Sequence, residues 1–228
     1  MELAKILEAA AAGEFPAADG GTTVVPQPSD RDAGVLAFTA HTVIFLDEDP
    51  AWIHATIAAV DCDPLAATMN PVFLSALMAR TGRTTETIDL LTVASALAGP
   101  PPLPLTEEQD QEHPRVRRAH EHRDDVRTWQ ALGGVLTIGR GVAGRWEISI
   151  EVDEQARDRG LGRALALAGR HLIPPGAVLW SQQAAGNARS IRAFQSAGYR
   201  PVGAEILLHR RTGPREFPES GSGERHNG

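Results

Sequence analysis

Val152-Asp153-Glu154-Gln155-Ala156-Arg157-Asp158-Arg159-Gly160-Leu161-Gly162-Arg163 reads as the end of a strand, a short arginine- and glycine-bearing turn, and the start of a helix. Its charge pattern is unusual. A helix N-terminus carries partial positive charge and normally attracts Asp or Glu, yet Arg157, Arg159 and Arg163 crowd this one. The arrangement is explained if a strongly anionic group sits among them, and a pyrophosphate is the obvious candidate. Gly160 and Gly162 would let the backbone approach it, having no Cβ in the way. The stretch is not a dinucleotide fingerprint, because Arg163, Ala164 and Leu165 follow Gly162 where G-x-G-x-x-G needs a third glycine. A tight turn with solvated arginines is the competing reading, so the surrounding sequence must decide.

Upstream, Gly133-Gly134 leads into an apolar run, Val135–Arg140, then a turn at Gly141–Gly144 and a second run, Arg145–Val152, which together predict a hairpin. In the second run Trp146, Ile148, Ile150 and Val152 share one face, while Glu147, Ser149 and Glu151 share the other. Downstream, Leu161, Leu165, Ala168 and Leu172 recur at helical spacing, Pro174-Pro175-Gly176 stops the helix, and Ala177–Gln182 predicts the next strand. A strand–turn–helix–strand unit of this kind fits a parallel crossover. Asn187 then opens a second signature running to Tyr199. Asn is a good N-cap, Ile191, Phe194 and Ala197 cover a core face, and Gly198 ends the helix.

Arg157-x-x-Gly160-x-Gly162 and the Asn187–Tyr199 segment together resemble the GCN5-related N-acetyltransferase (GNAT) superfamily, over about residues 146–202. The resemblance implies a mixed α/β fold: a twisted mixed sheet, flanked by helices and splayed after the strand ending at Val152, with an extra N-terminal region. It implies acetyl-CoA as cosubstrate and no metal. Backbone groups of Ile150 and Val152 would pair with the pantetheine arm. The amides of Asp158, Arg159, Gly160, Leu161, Gly162 and Arg163, with the side chain of Arg157, would hold the pyrophosphate. Asn187 would contact the pantetheine, and Phe194 would line the wall near the thioester.

Direct attack by an amine on the thioester needs a neutral amine, a route for its proton and often an acid for the thiolate. Where the family usually has a tyrosine acid, this chain has Phe194, and where some members carry a strand glutamate base it has Gln182. The resemblance leaves Glu147 as the candidate base, with an ion pair to Arg145 or plain exposure as the alternative; Tyr199 falls on a packing position. Two functions follow: an N-acetyltransferase acting on a small-molecule or peptide amine, or a non-catalytic acyl-CoA-binding sensor. A third reading makes residues 34–105 a degenerate second copy of the fold, one without its own arginine–glycine turn. The acceptor is not legible.

The 228 residues, 42% of them hydrophobic, suffice for one sizeable core with an addition. A net charge of −7 argues against general binding to nucleic acid or acidic membranes, and no apolar run is long enough to span a bilayer. The N-terminus lacks a secretory pattern, and the single cysteine, Cys62, fits a reducing cytoplasm, so a cytoplasmic protein is expected, with a homodimer left open. Residues 1–33 read as loosely ordered outside a helical Leu3–Ala12. Residues 34–105 contain short β-runs at Val35–Phe38 and Thr42–Leu46, helices opened by Asp49-Pro50 and Asn70-Pro71, and an ambiguous Ile88–Leu97. The proline-rich Gly99–Pro104 reads equally as a linker or as a loop inside one fold. Within the 106–211 core, Glu107–Arg127 predicts a solvated helix, on which His120 and His122 point apart rather than toward a metal. A disordered tail is expected over 212–228.

Overall fold

The computed structural model describes residues 2–108 and 112–210, so the expected disordered tail at 212–228 lies outside the described residues. In chain order the elements are α1 (Glu2–Ala12), β1 (Thr22–Val25), β2 (Gly34–Phe38), β3 (His41–Phe45), α2 (Pro50–Ala58), α3 (Pro71–Thr81), β4 (Arg83–Thr84), β5 (Asp89–Ser95) and β6 (Thr106–Glu108). They continue with α4 (Pro114–His122), β7 (Asp124–Ala131), β8 (Gly134–Arg140), β9 (Trp146–Val152), α5 (Leu161–Gly169), β10 (Val178–Ala184), α6 (Ala188–Ser196), β11 (Arg200–Leu207) and β12 (His209–Arg210). All but β4 and β12 form one mixed sheet of ten strands, in the order β1-β3-β2-β11-β5-β10-β9-β8-β7-β6.

Local chemistry starts the helices where the sequence predicts. The Asp49 carboxylate accepts from the Ala51 amide at 2.9 Å, and Asn70 accepts from the Val72 amide at 2.9 Å, each just before a first-turn proline. Gly82, at φ +65°, closes α3, whose Phe73, Leu74 and Leu77 are buried with Ile44, Ile53 and Ile206. The ambiguous 88–97 segment is a strand. β5 lies between β10 and β11, antiparallel to both, and Leu91, Thr92, Val93 and Ala94 are all buried. A strand covered on both faces has no reason to alternate, which is why its periodicity was uninformative.

Three expectations change. The first 33 residues are not loosely held: Leu3, Leu7, Ala10 and Ala11 of α1 are buried in a cluster with Leu36, Phe45 and Trp180, and β1 pairs in parallel with β3. The polar 107–127 segment is not one helix. α4 ends at His122, and the chain then enters β7, whose Trp129 packs against Leu136 and Leu165. Residues 34–105 build no sheet of their own, since β2, β3 and β5 belong to the same sheet as β7 to β11. The proline-rich stretch is therefore a loop crossing one sheet. It is tied down as Ala96 and Leu97 donate to Ala177 and Arg170 carbonyls, and His171 Nδ1 lies 3.1 Å from the Gly99 carbonyl.

α5 covers the Ile148 face of β8 and β9, and α4 covers the opposite, polar face. No helix among the described residues is long and apolar enough to cross a membrane. If α1 is integral to the core, Leu7→Ala should destabilise the protein by about 2–5 kcal/mol, the usual range for a buried leucine. Urea denaturation followed by circular dichroism would read this; a loss below about 0.5 kcal/mol, as for an exposed residue, would mean α1 is only loosely attached.

Candidate active site

The arginine–glycine turn forms as the sequence implies. Gly160, at φ +81°, is the N-cap of α5; it supplies no side-chain hydrogen bond, and no acidic residue stands in the first turn. The amides of Leu161, Gly162 and Arg163 precede any i−4 carbonyl of the helix, so they are free for a ligand. Asp158, also left-handed at φ +61°, precedes them, and positive-φ residues in such a turn are how backbone amides converge on an anion. The side chains are arranged less simply. Arg159 is exposed, Arg157 Nε donates to the Val152 carbonyl at 3.3 Å, and Arg163 Nε turns away to the Ser196 carbonyl at the end of α6, 3.1 Å off. Arg189 stands 3.7 Å from the Asp158 carboxylate.

β9 and β10 run parallel but pair at only two positions, Trp146 with Leu179 and Glu147 with Trp180. β8 accompanies β9 along its whole length, so beyond Glu147 one edge of β9 is left without a strand. That opening contains Ile150 and Val152, whose backbone groups were expected to meet the pantetheine. On its far side, Asn187 Oδ1 accepts from the Ser190 amide at 3.0 Å and caps α6. Phe194 is buried edge-on to Tyr199, their centroids 4.9 Å apart, and also lines the opening. The Tyr199 hydroxyl donates to the Ala166 carbonyl, and burial pushes its pKa up, so it packs rather than titrates.

Glu147 is not the free strand carboxylate that a base requires. It is 3% exposed, and Arg145 Nε at 2.7 Å, Arg123 Nε at 3.0 Å and the Val142 amide at 3.2 Å all donate to it. Burial alone would raise its pKa, but Arg145 and Arg123 outweigh that and hold it at about 2. A carboxylate so stabilised has little affinity for a proton. The anticipated Arg145 pair is present, with a second arginine that no local pattern signals. Arg145 also reaches across to Glu205 of β11 at 2.7 Å, and Gln182 donates to the same Glu205 oxygen at 3.0 Å. Gly141 is required here, because a Cβ would overlap the Glu147 carboxylate.

A cavity of about 300 Å³ opens at the splay, reaching from Phe194, Ile150 and Gln182 to the β4–β5 loop, α4 and the start of β12. Its rim is charged. Arg118 pairs with Glu86, Arg115 Nε with Glu151 at 3.1 Å, and Arg123 with Glu147. His122 and His209 face each other with ring centroids 4.7 Å apart, and burial followed by mutual repulsion lowers the pKa of His122. Asp89, half-buried, is pushed up to about 6 by burial first and then by Glu205, against Arg118. Among the described residues no group of His, Cys, Asp and Glu is placed to hold a metal. Asp89, Arg123, Glu205 and His209 were not expected at the site, because they come from elements far apart along the chain.

Glu147 ionises in the fold far below its ordinary 4.5, so its stabilisation is complete above pH 4.5 and drains away as pH falls toward 2. Glu147→Gln should therefore cost about 3–5 kcal/mol at pH 7, by leaving two arginines buried without their counter-ion. The deficit should shrink as pH falls below 4.5, read by denaturant titration across pH. A pH-independent difference would contradict the ion pairing.

No protein-family model matches the chain, and no curated protein does. Among solved structures it is similar to a GCN5-related N-acetyltransferase from Kribbella flavida, at 15% identity and TM-score 0.43, covering 93% of this chain and 95% of that one. It is also similar to a GNAT-family acetyltransferase from Colwellia psychrerythraea, at 9% identity and TM-score 0.37, covering 61% of this chain and 63% of the other. The chain thus spans less than two thirds of the Colwellia protein. A putative GNAT-family acetyltransferase from Novosphingobium aromaticivorans matches at 19% identity and TM-score 0.39, over 57% and 69% of the two chains. These likenesses are distant, and the fold rests on the chain's own geometry. With a mixed sheet opening between parallel β9 and β10, an uncapped α5 at the mouth of that opening, and Asn187-capped α6 opposite, the chain has the splayed mixed α/β fold that its sequence resemblance to GCN5-related N-acetyltransferases implies.

Proposed function

We propose that this chain is an N-acetyltransferase that moves an acetyl group from acetyl-CoA to an amine by direct attack. One observation carries the reading: the gap left where β9 and β10 part lies between the uncapped N-terminus of α5 and the charged cavity. The residues present fit an acyl-CoA. Free first-turn amides and Arg157 and Arg159 suit its pyrophosphate, the unpaired edge at Ile150 and Val152 suits its amide-bearing arm, and Phe194 and Ile150 give an apolar wall for the acetyl end. The bound acyl-CoA supplies the activated acetyl group. The chain's own contribution is to align that group with an amine held in the cavity, and alignment alone can account for much of the rate.

A second reading, an acyl-CoA-binding module without catalysis, draws on the side chains beside the opening. Phe194 cannot protonate a thiolate, the Tyr199 hydroxyl is engaged, and Glu147 is locked between two arginines. Transfer of acetyl from bound acetyl-CoA to any amine in a panel separates the two.

Calorimetric titration with acetyl-CoA and CoA tests the shared premise. Gly162→Glu places a carboxylate in the first turn of α5, where like charge should weaken binding of either ligand by roughly 100-fold or more. Its Cβ has room, 3.7 Å from Val152 Cγ2 and 3.8 Å from Ala193 Cβ, so circular dichroism should show an intact fold. Unchanged binding in the variant, or none in the wild type, would remove the proposed cosubstrate site.

A further inference from the structure

The side chains around the cavity can be sorted by whether their charge is already used. Arg115, Arg118 and Arg123 are each committed to a glutamate: Glu151, Glu86 and Glu147. Glu205 accepts from both Arg145 and Gln182. Asp89 alone among the lining carboxylates has no hydrogen bond or ion pair to its side chain among the described residues. It stands at the first position of β5, directly across from Ala184 of β10 and Glu205 of β11, so it is fixed by a strand paired on both sides.

Resting on the acetyltransferase reading, we propose that Asp89 is the group that receives the acceptor: it binds the ammonium of an alkyl amine and removes its proton before attack. The acceptor class follows from the same bookkeeping of charge. No lining arginine is left over to recognise an anion, so the acceptor is an amine that carries no carboxylate.

The step balances as follows. Asp89 accepts one proton from the ammonium, and the freed nitrogen lone pair bonds to the acetyl carbonyl carbon. The carbon–sulfur bond breaks, the sulfur leaves with its electron pair as thiolate, and the second proton lost by nitrogen goes to that sulfur. Asp89 then releases its proton to solvent. Its surroundings suit the task. Burial and Glu205, with Glu86, make the carboxylate more basic than a free one, Arg118 of α4 opposes them, and Arg115, Arg123, Glu147, His122 and His209 are the other titratable groups lining the cavity. A base of pKa about 6 is ionised at neutral pH and is still a better proton acceptor than an ordinary aspartate.

The test uses the full chain with acetyl-CoA and a matched pair of acceptors, 1,4-diaminobutane and 4-aminobutanoate, in wild type and Asp89→Asn. Binding of acetyl-CoA by calorimetry is measured alongside. The expected result is preferential acetylation of the diamine by wild type, with kcat/KM rising through an acidic limb near pH 6. In Asp89→Asn, kcat/KM should fall at least about 100-fold and lose that limb, while the acetyl-CoA Kd stays within about twofold, because general-base removal typically costs this much and the cofactor cradle is elsewhere. A variant that keeps the wild-type rate and limb overturns the role of Asp89 and leaves the acetyltransferase reading intact. Equal use of 4-aminobutanoate, or acetyl-CoA binding without transfer to the diamine, overturns the acceptor assignment. Failure of the wild type to bind acetyl-CoA overturns the underlying function itself.

Discussion

Arg145 is the constraint on which the architecture of the opening depends. It sits beneath the point where β9 and β10 separate, almost wholly buried, with Glu147 on one side, Glu205 on the other and the Trp180 ring 5.2 Å from its guanidinium carbon. A lone guanidinium at such depth would be untenable. Two carboxylates compensate it, and Arg123 compensates the carboxylate that Arg145 shares, so the buried set is neutral as a whole. Such a set adds less net stability than its Coulomb energy suggests, because each member was desolvated on folding. Its value is positional. It connects the segment before β9 with β11, three strands away beyond β10 and β5, and so braces the sheet beside the opening.

This constraint also settles which groups remain for chemistry. A glutamate between two guanidiniums is an anion that nothing in the working pH range will protonate. Ionic pairing on the rim similarly removes Arg115, Arg118, Glu86 and Glu151 from direct service to a ligand. The cavity therefore presents a wall of neutralised pairs with one half-buried aspartate set into it. Electrostatic selectivity in such a site comes from what is left unpaired, not from how many charged residues line it.

The parts of this fold that could be read in advance are those determined by neighbours in sequence. Asp49-Pro50 and Asn70-Pro71 start helices because a short polar side chain and a proline satisfy the first turn wherever it occurs. The turn that opens α5 was legible for the same reason, since turn, glycine N-cap and helix are contiguous from Ala156 to Arg163. The polar 107–127 segment misled because arginines and acidic residues suit a solvated helix and a strand edge alike. What ends the helix is Arg123, extended at φ −141° and anchored by Glu147, a partner that no local pattern announces. The charged cavity was illegible throughout, since β5, α4, β9 and the start of β12 meet there only after the sheet has formed. Burial of α1 was hidden similarly: its apolar stripe needs a surface, and that surface is made largely by later strands.

The place of β5 has a consequence for how the chain reaches this state. Thr92 and Ser181, joined across β5 and β10, are 89 positions apart, and β11 lies further along still. As the polypeptide leaves the ribosome, the strand that will occupy the middle of the sheet is finished long before either flank exists. It must wait as an apolar segment without backbone partners, and closing so long a loop slows assembly. Until β11 is made, the left and right portions of the sheet have no common member to join them. Even the proline-rich crossing after it stays untied until Arg170, His171 and Ala177 have been made. The order of synthesis and the order of the sheet are thus at odds, and a chain cut anywhere between β5 and β11 would leave a gap at the centre of its own core.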